Sequence, residues 1–174
     1  MSYYHYTKGC HLPSIVREGM IRTTSEGIEK NEKPAVWLTK SPEWENECNV
    51  GYMVNPQVMI NGHILFINEN IITASNEYMR KKVGMCRIIV SENLPTISWA
   101  KFKHVSGISE RIYKSLDKTC RGNGSPVDKW FCTFKAIPEK YWEGIEMFFG
   151  SNWVRWHDTI PIMKFIEAGL RCNN

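Results

Sequence analysis

Two short blocks near the N-terminus constrain the fold more than anything else in the chain. They are Ser2-Tyr3-Tyr4-His5-Tyr6-Thr7, and Pro34-Ala35-Val36-Trp37-Leu38-Thr39 running on into Lys40-Ser41-Pro42-Glu43-Trp44. Aromatic residues and threonine favour a pleated, half-buried surface, so residues 2–7 are expected as a strand that carries a histidine. Between the blocks, Leu12, Ile15 and Val16 fall at i, i+3 and i+4, with Pro13 in the first turn and Gly19 at the end. That pattern predicts a short amphipathic helix with its start and stop signals in place. Met20 to Thr23 can pair as a short strand, Ser25 to Lys33 is a polar loop expected to overhang a ligand, and Val36 to Thr39 is a third strand. Pro42 is expected to open a helix through Cys48, with Ser41 as N-cap and Glu43 and Glu45 in its first turn.

Farther on the punctuation is heavier. Gly51, Pro56, Asn61-Gly62 and Asn70 break residues 49–82 into pieces, of which Ile64 to Ile67 can be a strand. Met85 to Val90 reads as a buried strand and Ile97 to Phe102 as a half-buried one. Ile108 to Thr119 is expected to be helical, with Ile112 and Leu116 at i and i+4 and Ser109 as cap; the run Arg121-Gly122-Asn123-Gly124-Ser125-Pro126 ends it. Trp130 to Ala136 and Ile145 to Phe149 read as strands joined by a helical turn at Pro138 to Trp142, and Ile162 to Leu170 as a small amphipathic helix. No period of about 20–50 residues and no low-complexity tract is present, which sets aside repeat architectures.

A chain of 174 residues with 43% apolar content can bury one core, so residues 1–174 are expected to form a single domain. The net charge of +4 is too small to demand nucleic acid and is compatible with a phosphate-bearing ligand or partner. Six cysteines, at 10, 48, 86, 120, 132 and 172, are widely spaced with no C-x-x-C, so neither a zinc site nor a redox pair is indicated and no metal is expected. The start is Tyr-rich and polar, and no apolar run approaches the roughly 18 residues of a spanning helix. A cytoplasmic protein with free thiols and no membrane partner is the expectation.

The two N-terminal blocks resemble the NAD pocket of ADP-ribosyltransferases of the His-Tyr-Glu type. His5 stands in Tyr4-His5-Tyr6-Thr7, Trp37 holds the place of the aromatic in that family's glycine-aliphatic-aromatic-phenylalanine strand, and Lys40-Ser41-Pro42-Glu43-Trp44 is similar to its Lys-Ser-x-x-Tyr helix start. Tryptophan stands for tyrosine twice, Tyr6 occupies the place of a glycine, and no late-strand Glu-x-Glu turn is present. The resemblance covers residues 2–48 by motif and the remainder by element order. It implies an α+β fold of two facing, mostly antiparallel sheets flanked by helices and split around an NAD cleft. It implies a stand-alone toxin, effector or phage-conflict factor that moves ADP-ribose from NAD to a macromolecular acceptor, protein or nucleic acid, and releases nicotinamide. His5 would then fix the ribose, Ser41 bond the nicotinamide amide, Trp44 stack on its ring, and Tyr6, Thr7, Trp37 and Arg87 complete the NAD site. Glu146, within Gly144-Ile145-Glu146-Met147-Phe148-Phe149, is the late-strand carboxylate that would stabilise the oxocarbenium-like transition state.

Each of these residues also has a purely structural reading. His5 can be satisfied by a backbone carbonyl, Trp37 and Trp44 can be core, Glu146 can face solvent on a strand edge, and Arg87 can pair with an internal carboxylate instead of a pyrophosphate. Arg80-Lys81-Lys82 and Lys101-Lys103-His104 read as solvated faces before nucleic-acid sites. Two other functions stay open. One is a noncatalytic module that binds NAD, ADP-ribose or a partner; the other is an RNA 2'-phosphotransferase-like enzyme, whose Arg-His-Arg-His set and preceding basic domain are not apparent here.

Overall fold

The computed structural model describes residues 2–25, 28–45, 48, 51–54, 57–60, 63–66, 70–73, 75–122 and 124–173, those between 51 and 73 as backbone strands. β1 (Tyr3–Lys8) leads through a 3-10 turn into α1 (Leu12–Glu18), which has Pro13 in its first turn. Gly19 stops the helix in the left-handed region (φ 62°) and returns its N–H to the carbonyl of Val16, a conformation a Cβ would strain. β2 (Met20–Ile21) and β3 (Val36–Thr39) follow.

β4 (Gly51–Val54) pairs with β7 (Asn70–Thr73), and β5 (Gln57–Ile60) with β6 (His63–Phe66). The strand expected at Ile64 to Ile67 is therefore present over its first three residues, and Ile67 lies outside the described residues. α2 (Asn76–Tyr78) continues into a π-helical turn, and β8 (Met85–Val90) crosses the molecule with five of its six residues buried. β9 (Ile97–Ser98), α3 (Trp99–Val105), α4 (Glu110–Gly122), β10 (Trp130–Thr133), β11 (Ile137–Pro138), β12 (Trp142–Phe149), β13 (Asn152–Arg155) and α5 (Ile162–Cys172) complete the chain.

Two local expectations fail. Ile97 to Phe102 was expected to be extended, but only Ile97 and Ser98 are; from Trp99 the chain is helical. Trp99 and Phe102, three apart, bury their rings together at 5.7 Å, and Trp99 Nε1 donates to Asp117 Oδ1 at 2.7 Å on α4. Residues 42–45 are likewise not helical. Arg87 Nη1 donates to the Pro42 carbonyl and Trp130 Nε1 to the Glu45 carboxylate, and these tertiary bonds hold the segment open.

The strands form one seven-stranded sheet in the order β13-β12-β8-β1-β3-β10-β9, antiparallel throughout, with β2 and β11 as a small second sheet. The class is α+β and the pairing antiparallel, as expected. In place of two facing sheets, however, the two halves remain joined in one ladder where Tyr4 pairs with Thr39. One face buries Tyr3, Val36, Leu38, Ile88, Ile145 and Met147 against Leu12 of α1 and Phe165 and Ile166 of α5. α5 lies so close that a Cβ on Gly169 would come within 2.5 Å of Met147 Sδ. The opposite face, over β3, β10 and β9, carries Trp37 and Cys132 beneath Trp99 and Phe102 of α3 and Cys120 of α4.

Candidate functional site

β1 pairs with β8 along its whole length, but with β3 at the single position Tyr4–Thr39. Beyond Tyr4 the two strands part, and a cavity of about 550 Å³ lies in the gap. Its walls are His5, Tyr6, Thr7 and Lys8 from β1, Ala35 just before β3, Val36 and Trp37 from β3, Cys48, and His11 at the N-cap of α1 with Ser14 and Glu18 along the helix, with Arg22 just beyond. That volume falls in the range of about 300–1,000 Å³ that small-molecule sites occupy.

His5 spans the gap: its Nδ1 lies 3.0 Å from the Trp37 carbonyl. A carbonyl can only accept, so Nδ1 carries the proton and Nε2 is left as the acceptor of a neutral ring. Burial lowers the imidazole pKa below its ordinary 6.5; the Trp37 bond opposes this in part, and His11 adds to it. The histidine is therefore a neutral hydrogen-bonding group at physiological pH. Trp37 borders the cavity, while its ring packs at 4.7 Å on Phe102 and 5.8 Å on Trp99, so it serves the aromatic core as well. On the facing side Glu18 Oε2 holds Arg22 Nε at 2.8 Å. His11, Ser14 and Glu18 recur at i, i+3 and i+7 on one side of a helix whose Leu12 is buried. That polar stripe lies in the sequence interleaved with the apolar one formed by Leu12, Ile15 and Val16.

The remaining expected residues gather elsewhere. The register places Tyr6, Arg87, Glu146 and Arg155 in one row across β1, β8, β12 and β13, and His5, Ile88 and Ile145 in the next. Adjacent rows point to opposite faces. Glu146 therefore does not share a face with His5; its partner is Arg87, whose Nε and Nη2 both reach Glu146 Oε2, at 2.7 and 2.6 Å. The guanidinium is sandwiched between the rings of Tyr4 (4.7 Å) and Trp153 (4.2 Å), and its Nη1 is taken by the Pro42 carbonyl. Of the two readings left open for Arg87, the internal carboxylate pair is the one observed.

Tyr6 hydroxyl donates to the Ser41 carbonyl at 2.9 Å, and Trp44 packs edge-on against the Tyr6 ring at 5.2 Å. Burial pushes the Tyr6 phenol well above its ordinary pKa, against the favourable contact with Arg87. Ser41 is buried and its backbone N–H donates to Thr39 Oγ1. Trp44 joins Met79, Met85, Phe148 and Trp153 in a satellite apolar cluster. The structure thus brings His5, Tyr6, Thr7 and Trp37 to the cavity, and places Ser41, Trp44, Arg87 and Glu146 in a packed cluster on the other side of β1, with Tyr6 touching both. Glu45 is buried nearby, its carboxylate accepting from Trp130 Nε1.

None of the six cysteines is joined in a disulfide. Among the described residues no helix is long and apolar enough to cross a membrane, and no group of three His, Cys, Asp or Glu side chains is placed to hold a metal. Comparison of the chain with protein-family models, with curated proteins and with solved structures finds no match in any of the three.

Proposed function

We propose that the chain uses NAD as an ADP-ribose donor, seated in the cavity where β1 leaves β3, and passes ADP-ribose to a macromolecular acceptor. The observation that carries this reading is the parting of the strands around a neutral, half-buried histidine, with a carboxylate and two cations lining the same cleft. Nicotinamide would leave with the electron pair of its bond to ribose, positive charge would develop on the ribose, and the acceptor's nucleophile would close the new bond and lose a proton. The cavity holds groups for each demand. His5 Nε2 can accept from a ribose hydroxyl, Lys8 and Arg22 suit a pyrophosphate, and Glu18, released from Arg22 as that cation turns to phosphate, can face the developing charge. Of these roles, only that of His5 follows the resemblance in the N-terminal blocks; the others come from the cavity wall.

Titration with NAD, followed by tryptophan fluorescence, tests occupancy, because Trp37 borders the cavity. Release of nicotinamide in the presence of a crude lysate tests transfer. Saturable quenching with nicotinamide release supports the reading, and the absence of both removes it. A second reading, a module that holds NAD or ADP-ribose without transfer, is favoured by one observation: the late-strand carboxylate Glu146 is tied to Arg87 on the other face. Quenching without nicotinamide release would select it.

A further inference from the structure

The chain's charge is concentrated in one place. Residues 99–122 hold six basic residues, Lys101, Lys103, Arg111, Lys114, Lys118 and Arg121, against Glu110 and Asp117, a net of +4 that equals the net charge of the whole protein. The remaining 150 residues carry sixteen basic and sixteen acidic residues and cancel. In the fold this stretch is α3 and α4, which cover one end of the sheet.

α4 turns Cys120 to the core and packs Ile112 and Tyr113 against it. Its solvent side then carries Arg111, Lys114, Lys118 and Arg121 at i, i+3, i+7 and i+10, a ridge about 15 Å long at 1.5 Å per residue. Lys114 is held by Glu110 at 3.0 Å, and Arg121 by Asp117 at 2.9 Å and Asp128 at 3.0 Å. These carboxylates engage Lys114 and Arg121, while Arg111 and Lys118 stand exposed on the same ridge. α3 extends the same surface: Lys103 sits over the Tyr113 ring at 5.7 Å, and the Glu110 pKa, lowered chiefly by Lys114, is lowered further by Lys103 and His104. The one large exposed apolar side chain of α4, Leu116, lies two residues from Lys118 and hence on the opposite side of the helix.

A cationic ridge without an apolar crest fits a string of phosphates and has nothing to insert into a bilayer. It also lacks an exposed aromatic platform on which bases could stack, so recognition would rest on the phosphodiester backbone and not on sequence. At about 3.4 Å per phosphate along one strand, the ridge spans roughly four phosphates. We infer that the α3–α4 ridge binds the phosphodiester backbone of a nucleic acid, with Arg111 and Lys118 as its main contacts. This holds whether or not the cavity transfers ADP-ribose; where that proposed activity holds as well, the ridge makes nucleic acid the acceptor class.

The test is fluorescence anisotropy of the full chain with labelled 20-residue DNA and RNA oligonucleotides, without NAD, between 50 and 200 mM salt. With about three phosphates neutralised after competition from Glu110, Asp117 and Asp128, affinity should fall roughly 20- to 40-fold across that range. The double substitution Arg111→Glu with Lys118→Glu should abolish measurable binding, with the circular dichroism spectrum and unfolding midpoint of the wild type retained. Lys140→Glu with Lys164→Glu, on other exposed surfaces, should bind as the wild type does. Preference for DNA or RNA names the source of the phosphates. The inference is overturned by no binding to either oligonucleotide at 50 mM salt, by equal binding of the ridge variant, or by tighter binding to phosphatidylserine vesicles than to both oligonucleotides. Because NAD is absent, failure here leaves the cavity reading untouched, and nicotinamide release measured separately leaves this one untouched.

Discussion

Arg87 and Glu146 stand opposite each other on neighbouring strands, two guanidinium nitrogens on a single carboxylate oxygen, and both side chains are almost out of water: 10% and 15% exposed. A pair this enclosed gains from its Coulomb attraction only what remains after desolvation, and its main effect is to penalise whichever partner is left alone. Here the pair is also a latch. The third guanidinium contact holds the Pro42 carbonyl, and Tyr6 in the same row holds the carbonyl of Ser41.

Removing one partner should therefore unfold more than it inactivates. Glu146→Ala is expected to cost about 3–5 kcal/mol, the usual penalty for an unpaired buried charge, and the double replacement of Arg87→Met with Glu146→Leu less, because the desolvation of both ionic groups is then relieved. Urea unfolding of the two variants checks the order. A loss under about 1 kcal/mol for Glu146→Ala would mean that the carboxylate is not held as described.

His5 gives the stability a pH dependence of known sign. Burial makes the native ring a weaker base than in the unfolded chain, so below about pH 6.5 the unfolded chain binds the proton more readily. Stability from this group is complete above that pH and declines as pH falls through and below it. His5→Asn keeps a donor for the Trp37 carbonyl and has no proton to gain. The fall in unfolding free energy between pH 7 and pH 5 should be smaller in the variant than in the wild type; equal slopes would show that the native ring titrates as it does in the unfolded chain.

Gly169 tests how closely α5 is seated. A methyl at this position would meet Met147 Sδ at 2.5 Å, Met147 Cε at 2.6 Å and the Phe149 ring at 2.9 Å, all side chains of the same strand. Alanine has the higher helix propensity by about 1 kcal/mol, so an exposed glycine would gain from the change. Here overpacking should win, with Gly169→Ala lowering stability by roughly 1–3 kcal/mol. Thermal unfolding that shifts upward would show that Met147 moves aside freely.

What the residues reveal on their own is local. The strand expected over residues 2–7 forms at Tyr3–Lys8, the helix with Pro13 and Gly19 at its ends and the buried strand Met85–Val90 form as read, and the helix expected over Ile108 to Thr119 forms at Glu110–Gly122; each carries its signals within a few residues. Ile97 to Phe102 fits alternation and helical spacing equally, and a bond from Trp99 to Asp117, on a different helix, decides it. Ser41-Pro42 is a sound helix start that loses to the pull of Arg87 on the Pro42 carbonyl. The site turned on parity. Whether His5 and Glu146 meet depends on the register of the strand between them, and a shift of one residue reverses every side chain of a strand. With β8 in place, Ile145 and not Glu146 falls in the row of His5. Nothing within the motif of either residue encodes that row.

The parity of those rows also separates the two carboxylates that can serve the proposed reaction. Glu18 borders the cavity and Glu146 does not, so the effects of neutralising them should diverge. A carboxylate that faces developing positive charge interacts more strongly with the transition state than with ground-state NAD, and its loss lowers turnover while leaving affinity nearly unchanged. Glu18→Gln should thus cut nicotinamide release on the order of 100- to 1000-fold, about 3–4 kcal/mol, with NAD quenching retained. Glu18 is exchanged without loss of a buried pair, since its partner Arg22 is 72% exposed and well solvated alone. Glu146→Gln, compared per folded molecule, should turn over as the wild type does. The reverse pattern, a silent Glu18→Gln and an inactive but folded Glu146→Gln, would move the reacting ribose out of the cavity and onto the Tyr6, Arg87 and Trp153 face.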